Sequence, residues 1–134
     1  MQLEYAPGAC NIGPDEIARR RRAAIVGAAA TLALGAALLL LGAAPGDPAR
    51  LAVALPLTGA AIGWIQARRR FCMAYGLVGT FNLGPMGRDG ALTRVVDPAA
   101  LAADRRAALA IGAQGLVIGL VGALLFLFLP VSLG

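Results

Sequence analysis

Histidine is absent from this 134-residue chain, and all 12 of its basic residues are arginine, so lysine is absent as well. The first absence removes the commonest general base near neutral pH and the commonest metal ligand. The second removes the usual amine nucleophile. Charge of either sign is scarce: 14% of residues are charged, 5% are aromatic and two are cysteine. A soluble domain carries about 25% charged and about 45–50% apolar residues. Here 59% are apolar and the mean hydropathy is +0.76, which leaves too little polar surface to face water on every side. These counts exclude a soluble enzyme, a zinc module and a disulfide-stapled secreted domain. No catalytic residue, metal or cofactor is expected. The length allows one domain, and the composition predicts a single all-α integral membrane domain over residues 1–134.

Uncharged runs locate the membrane segments. Ala23 to Ala44 is closed by Pro45-Gly46-Asp47-Pro48, Leu51 to Ala67 is closed by Arg68-Arg69-Arg70, and the chain beyond Ala107 carries no charge. A helix crossing a core of about 30 Å needs roughly 20 apolar residues. The first and third runs meet this, and the second reaches it if its terminal arginines snorkel. Helix starts are also legible. Pro14 followed by Asp15 and Glu16, and Pro98 behind Asp97, place proline in a first helical turn with an acid or cap beside it. Three transmembrane helices are therefore expected at about 14–44, 49–69 and 98–129. Phe71 to Met86 is uncharged but interrupted by Gly76, Gly79, Gly84 and Pro85. It is expected as an interfacial or re-entrant segment at 71–84, within a loop 71–97 that turns at Asp89-Gly90.

Arginine placement predicts orientation. Arg19, Arg20, Arg21 and Arg22 precede the first span; Arg68, Arg69 and Arg70 follow the second; Arg88, Arg94, Arg105 and Arg106 precede the third. A cytoplasmic N-terminus and an outside C-terminus leave only Arg50 outside, which is the bias that short loops obey. The arginines at 19–22, 68–70, 105 and 106 are accordingly expected at the lipid head groups of a bacterial inner membrane. Residues 1–22 read as a cytoplasmic arm rather than a cleaved signal, because a second span follows the first so closely. Nucleic-acid binding is not expected, since topology already accounts for the basic face.

Lipid gives helices no hydrophobic reason to associate, so small residues that let backbones approach must hold them. Gly27, Thr31 and Gly35 recur every four residues in the first span, Gly59, Gly63 and Ala67 in the second, and Gly115, Gly119 and Ala123 in the third. Polar residues within the spans are limited to Thr31, Thr58, Trp64, Gln66 and Gln114, none ionisable. A pump or ion-coupled carrier normally has an intramembrane charge.

Asn11-Ile12-Gly13-Pro14 is echoed by Asn82-Leu83-Gly84-Pro85, and Arg21-Arg22-Ala23-Ala24-Ile25 by Arg105-Arg106-Ala107-Ala108-Leu109. Either a degenerate duplication or two similar ways of entering a membrane helix produces this. Cys10 and Cys72 both fall on the expected cytoplasmic side, where a structural disulfide is disfavoured. Each is a candidate reactive thiol near arginines, or a small apolar side chain packed at the membrane surface. The opening Asn11-Ile12-Gly13 and the closing Phe71-Cys72-Met73-Ala74-Tyr75-Gly76-Leu77-Val78-Gly79 frame the first two spans. Over about residues 10–84 this resembles the small bacterial inner-membrane two-helix domain of unknown function that sometimes follows a rhodanese domain. The third span has no counterpart there, and Met73 stands where that family has proline. The resemblance implies a helical hairpin and carries no catalytic role.

The function expected is a non-catalytic accessory or structural subunit that packs in a larger membrane complex or a homo-oligomer. The alternatives are a small oligomeric channel or exporter constricted at Gln114, and thiol or sulfur handling through Cys72 and Cys10.

Overall fold

The computed structural model describes residues 4–83 and 92–132. Three of its helical stretches are long and apolar enough to cross a membrane: Pro14–Leu40, Pro48–Arg69 and Pro98–Phe128. The first, α1 (Pro14–Leu40), opens with proline and the acids Asp15 and Glu16 in its first turn. It stops four residues short of the expected end. Gly42 adopts φ 88°, its N–H and that of Ala43 turn back to the carbonyls of Leu39 and Leu38, and this pair of bonds is a Schellman termination. Glycine marks that end in the sequence, whereas the uncharged run continues past it.

After the turn, the Asp47 side chain accepts the Ala49 N–H at 3.0 Å and starts a 3₁₀ turn, Pro48–Val53. This leads without a break into α2 (Ala54–Arg69), so the second span begins one residue before its expected start. The short helix α3 (Met73–Val78) follows. Two strands, β1 (Thr80–Asn82) and β2 (Leu92–Arg94), pair antiparallel with Phe81 opposite Thr93. They correct the expectation of helix and loop alone. Gly84, Pro85, Arg88 and the Asp89-Gly90 turn lie outside the described residues. The last helix, α4 (Pro98–Phe128), is capped by Asp97, whose carboxylate accepts the Ala100 N–H at 3.2 Å. It ends at Phe128 because Leu129 is held extended by Pro130.

The three long helices form a layer with α2 in the middle, α1 on one flank and α4 on the other. Neighbours run antiparallel. Gly27 of α1 meets Ala60 of α2, and Gly63 meets Ala24, while Gly115, Gly119 and Gly122 of α4 meet Ile62, Thr58 and Leu57 in turn. One consequence is that the start of α1, the end of α2 and the start of α4, with all their arginines, lie at one end of the layer. The segment 71–83 folds over that end. Met73 lies against Gly112, Gly76 against the Asp104 carbonyl, and Phe71 packs with Ala107, Ala108 and Ile111 as a small buried core. Of the two expected placements this is the terminal one. The described part of 71–84 covers the Arg-bearing end and does not re-enter between the helices.

Gly59 corrects the packing expectation. A Cβ there would meet nothing within 4 Å. The contact row of α2 towards α1 is Ala60, Gly63 and Ala67, and Gly59 stands about 100° round the helix from Ala60. The other expected glycines do lie at neighbours: Gly27, Gly63, Gly115 and Gly119 as above, and Gly35, where a Cβ would stand 3.7 Å from the Phe126 ring.

Candidate functional site

Two buried polar clusters occupy opposite ends of the layer. At the Arg-bearing end the N-terminal arm is threaded between the two segments that frame the first hairpin. Asn11 donates its side-chain Nδ2 to the Cys72 carbonyl at 3.2 Å and accepts the Cys72 N–H on Oδ1 at 2.6 Å. Its backbone N–H bonds to Arg70 O, and its carbonyl accepts the Asn82 N–H. A fully buried asparagine is thus satisfied on both its backbone and its amide, as burial demands. The carbonyl of Arg70 is presented by a left-handed residue, φ 55°, a conformation that costs a non-glycine side chain about 1 kcal/mol. Ile12 bridges Asn82 in parallel, which sets the first Asn-x-Gly motif beside the start of its echo. Gly13 is required there because any Cβ would run into the Leu83 carbonyl.

The buried carboxylates of this cluster belong to Glu16 and Asp104, 3% and 0% exposed. Glu16 lies 3.2 Å from Arg20 and 3.9 Å from Arg19. The same Arg20 Nη2 donates to Cys72 Sγ at 2.9 Å, so it is aimed at the thiol and not along the Glu16 lone pair. Arg20, expected among the lipid head groups, is therefore turned inward, while Arg21, Arg22, Arg68, Arg69, Arg70, Arg105 and Arg106 are exposed. Gln66, expected only as a polar residue near the interface, accepts the Met73 N–H at 2.8 Å and starts α3. Cys10 and Cys72 are both free thiols, 6% and 1% exposed.

Asp104 anchors the arm. It accepts the Tyr5 hydroxyl and the Gly8 N–H, each at 2.7 Å, and the Tyr5 ring stacks on Phe81 with centroids 4.3 Å apart. Burial, together with the Asp104 carboxylate, pushes the Tyr5 hydroxyl above its ordinary pKa of 10.0. A raised folded-state value means that this contribution to docking is complete below about pH 10 and is lost as pH rises through the folded value. In a Tyr75→Phe background, ultraviolet titration of Tyr5 should begin later than for free tyrosine. Asp104→Asn should bring it earlier. Onset near pH 10 in the parent protein contradicts the buried bond.

The second cluster was not foreseen. Arg50, expected alone in the outer turn, is 0% exposed. Its Nε and Nη2 donate to Ala43 O at 3.3 and 2.9 Å, its Nη1 to Phe126 O and Leu129 O at 2.9 and 2.8 Å, and its Nη2 also to Val131 O at 2.5 Å. All five guanidinium N–H groups are accounted for. The plane stands over the Phe126 ring, 5.0 Å from its centroid. The acceptors lie just beyond α1 and around the last turn of α4, where carbonyls have no helical partner and carry the negative end of the helix dipole. One cation thus closes two helices at once. The only sequence signal was its isolation: a single basic residue between Arg22 and Arg68, with Asp47 as the one acid there.

Among the described residues no group of three metal-ligating side chains converges. Gln114 is exposed on α4 and stands beside Ile65 rather than between the three helices. No protein-family model, curated protein or solved structure matches this chain.

Proposed function

We propose that this chain is a non-catalytic integral membrane subunit that docks on another transmembrane helix through the outer face of α1. The observation carrying this reading is an asymmetry in what the layer exposes. Of the three spans, α1 is the least covered, with 6% of its apolar window buried against 22% for each of the others. The face of α1 turned away from α2 presents Ala29, Ala33 and Ala36, all exposed. The outer face of α4 presents Leu116, Leu120, Leu124 and Phe128. Bulky aliphatic side chains suit lipid tails, whereas small residues at helical spacing suit a second backbone. The partner helix comes from a second copy or from another membrane protein.

Ala29→Leu/Ala33→Leu tests this. Purified in mild detergent, the wild type should run as an oligomer or with a stoichiometric partner. The double variant should run alone, with unchanged helicity and melting, because both positions are exposed. A wild type that is monomeric and partnerless, or a variant that keeps its association, removes the reading.

The same proposal places the Arg-bearing end in the cytoplasm of a bacterial inner membrane, on the strength of arginine bias in short loops. Native cysteines are poor reporters of this, being buried. A cysteine introduced at the exposed Ala49 of the opposite turn should be labelled by impermeant maleimide from outside intact cells, and labelling only after lysis reverses the orientation.

A thiol-handling role is favoured by one contact, the Arg20 guanidinium on Cys72 Sγ. Burial favours a packing role instead. We expect a bulky maleimide to leave Cys10 and Cys72 unmodified in the folded protein and to modify both after denaturation. Rapid native modification of Cys72 favours the thiol reading.

A further inference from the structure

We propose that one broad face of the layer binds a two-chain anionic phospholipid, with its head group at Arg21, Arg68 and Arg106. The site is built from two contiguous apolar grooves. The first, about 420 Å³, runs between α1 and α2 over Ala28, Ala61 and Trp64. Past Leu57 it continues into a further groove beside Leu32 and Gly35, so the path extends well towards the opposite end. The second, about 470 Å³, follows α4 along Val117 and Gln114. The two share Ile65 and Ile118 as a common ridge. A single acyl chain needs one such groove. Two grooves on either side of one ridge match a diacyl lipid.

Charge selects the head group. Residues separated by three, four or seven positions share a helix face. Arg21 therefore continues the α1 wall of Ile25 and Ala28, and Arg68 continues the α2 wall of Ala61 and Trp64. Arg106 precedes Ala113 on α4 by seven. Each arginine thus stands one or two turns beyond the end of a groove wall, and all three are exposed. Glu16 engages Arg19 and Arg20, and neither Arg21, Arg68 nor Arg106 is within ion-pair range of a described carboxylate. Three uncompensated guanidinium groups above apolar walls favour a phosphate-bearing anionic head over a zwitterionic one. Trp64, half exposed at the groove mouth, occupies the level at which indole rings border head groups. Ala29 and Ala33 of the α1 face proposed for docking lie outside the groove lining, and Ala36 borders both.

Trp64 is the single tryptophan of the chain, which makes it a direct reporter. The protein is placed in phosphatidylcholine vesicles containing a minor fraction of phosphatidylglycerol brominated on its chains, and Trp64 quenching is compared with the reverse labelling. We expect quenching by the brominated anionic lipid to exceed random mixing, with an apparent preference of about 30- to 150-fold for two to three arginines near the head group. Arg21→Gln/Arg68→Gln should return it to the random level. Arg22→Gln/Arg69→Gln, which removes the same charge off the groove register, should leave it in place. The wild-type preference should also fall as salt is raised, a readout that needs no variant. Quenching at the random level in the wild type, or a preference that survives both the groove double variant and high salt, overturns the site. Quenching below random from both lipids overturns it too, because a protein helix or a second copy then fills the groove.

Discussion

Arg50→Ala will destabilise the folded chain by about 3–5 kcal/mol, the scale for removing one side of a buried charged network. The alanine leaves the carbonyls of Ala43, Phe126, Leu129 and Val131 without their donor, at two helix ends that already lack intrahelical partners. It also removes the cation over the Phe126 ring and the charge that faces both helix dipoles. Arg50→Lys should restore only part of this. An ammonium has three donors around a point and cannot span acceptors spread across the plane of a guanidinium. The measurement is unfolding of the purified protein by titration with a denaturing detergent, wild type against both variants. An Arg50→Ala protein within about 0.5 kcal/mol of wild type means that water replaces the cage at little cost and that the arginine does not close the helices.

Gly27→Leu should separate α1 from α2, and Gly59→Leu should do almost nothing. A Cβ at Gly27 would lie 2.9 Å from Ala60 Cβ and 3.0 Å from its Cα and N. These are backbone or near-backbone atoms with no rotamer to yield, so the helices must part. Overpacking of this kind costs about 1–3 kcal/mol, and leucine belongs at the upper end. Separation also forfeits the neighbouring contact of Gly63 with Ala24. Gly59 opens on free space, where leucine meets only lipid. The same denaturation series compares them, and equal losses at both positions contradict the register of Ala60, Gly63 and Ala67 against α1.

Sequence pattern carried the three spans because each is an uncharged run bounded by proline, arginine or a capping acid, all local signals. The starts at Pro14 and Pro98 followed from single residues. The end of α1 did not, because hydropathy continues through Leu41 to Ala44 while Gly42 turns the backbone. Small-residue spacing found Gly27, Gly63, Gly115 and Gly119, but it could not choose between Gly59 and Ala60. That choice depends on where α1 crosses, and both residues are small enough to allow it. The polar clusters were least legible. Arg50 is satisfied by backbone carbonyls, Gln66 by the Met73 N–H and Asp104 by the Gly8 N–H with the Tyr5 hydroxyl, and a backbone partner leaves no mark on residue identity. Asn11 and Cys72 were singled out as ends of two motifs, yet nothing in their spacing says that one side chain pairs with the backbone of the other.

The arm has a consequence for the order in which the chain matures. Tyr5 waits for a carboxylate 99 positions later, and Asn11 for a backbone 61 positions later. Both partners are made after α1, so the arm is made before it and finds its place after it. During that interval the buried side of the arm, with Asn11, Ile12 and the Glu16 carboxylate, stays open to solvent or to a chaperone. Completion of α4 at Asp104 then works as a timer. A chain whose synthesis stalls before Asp104 keeps a loose, protease-accessible N-terminus, and a finished one hides it.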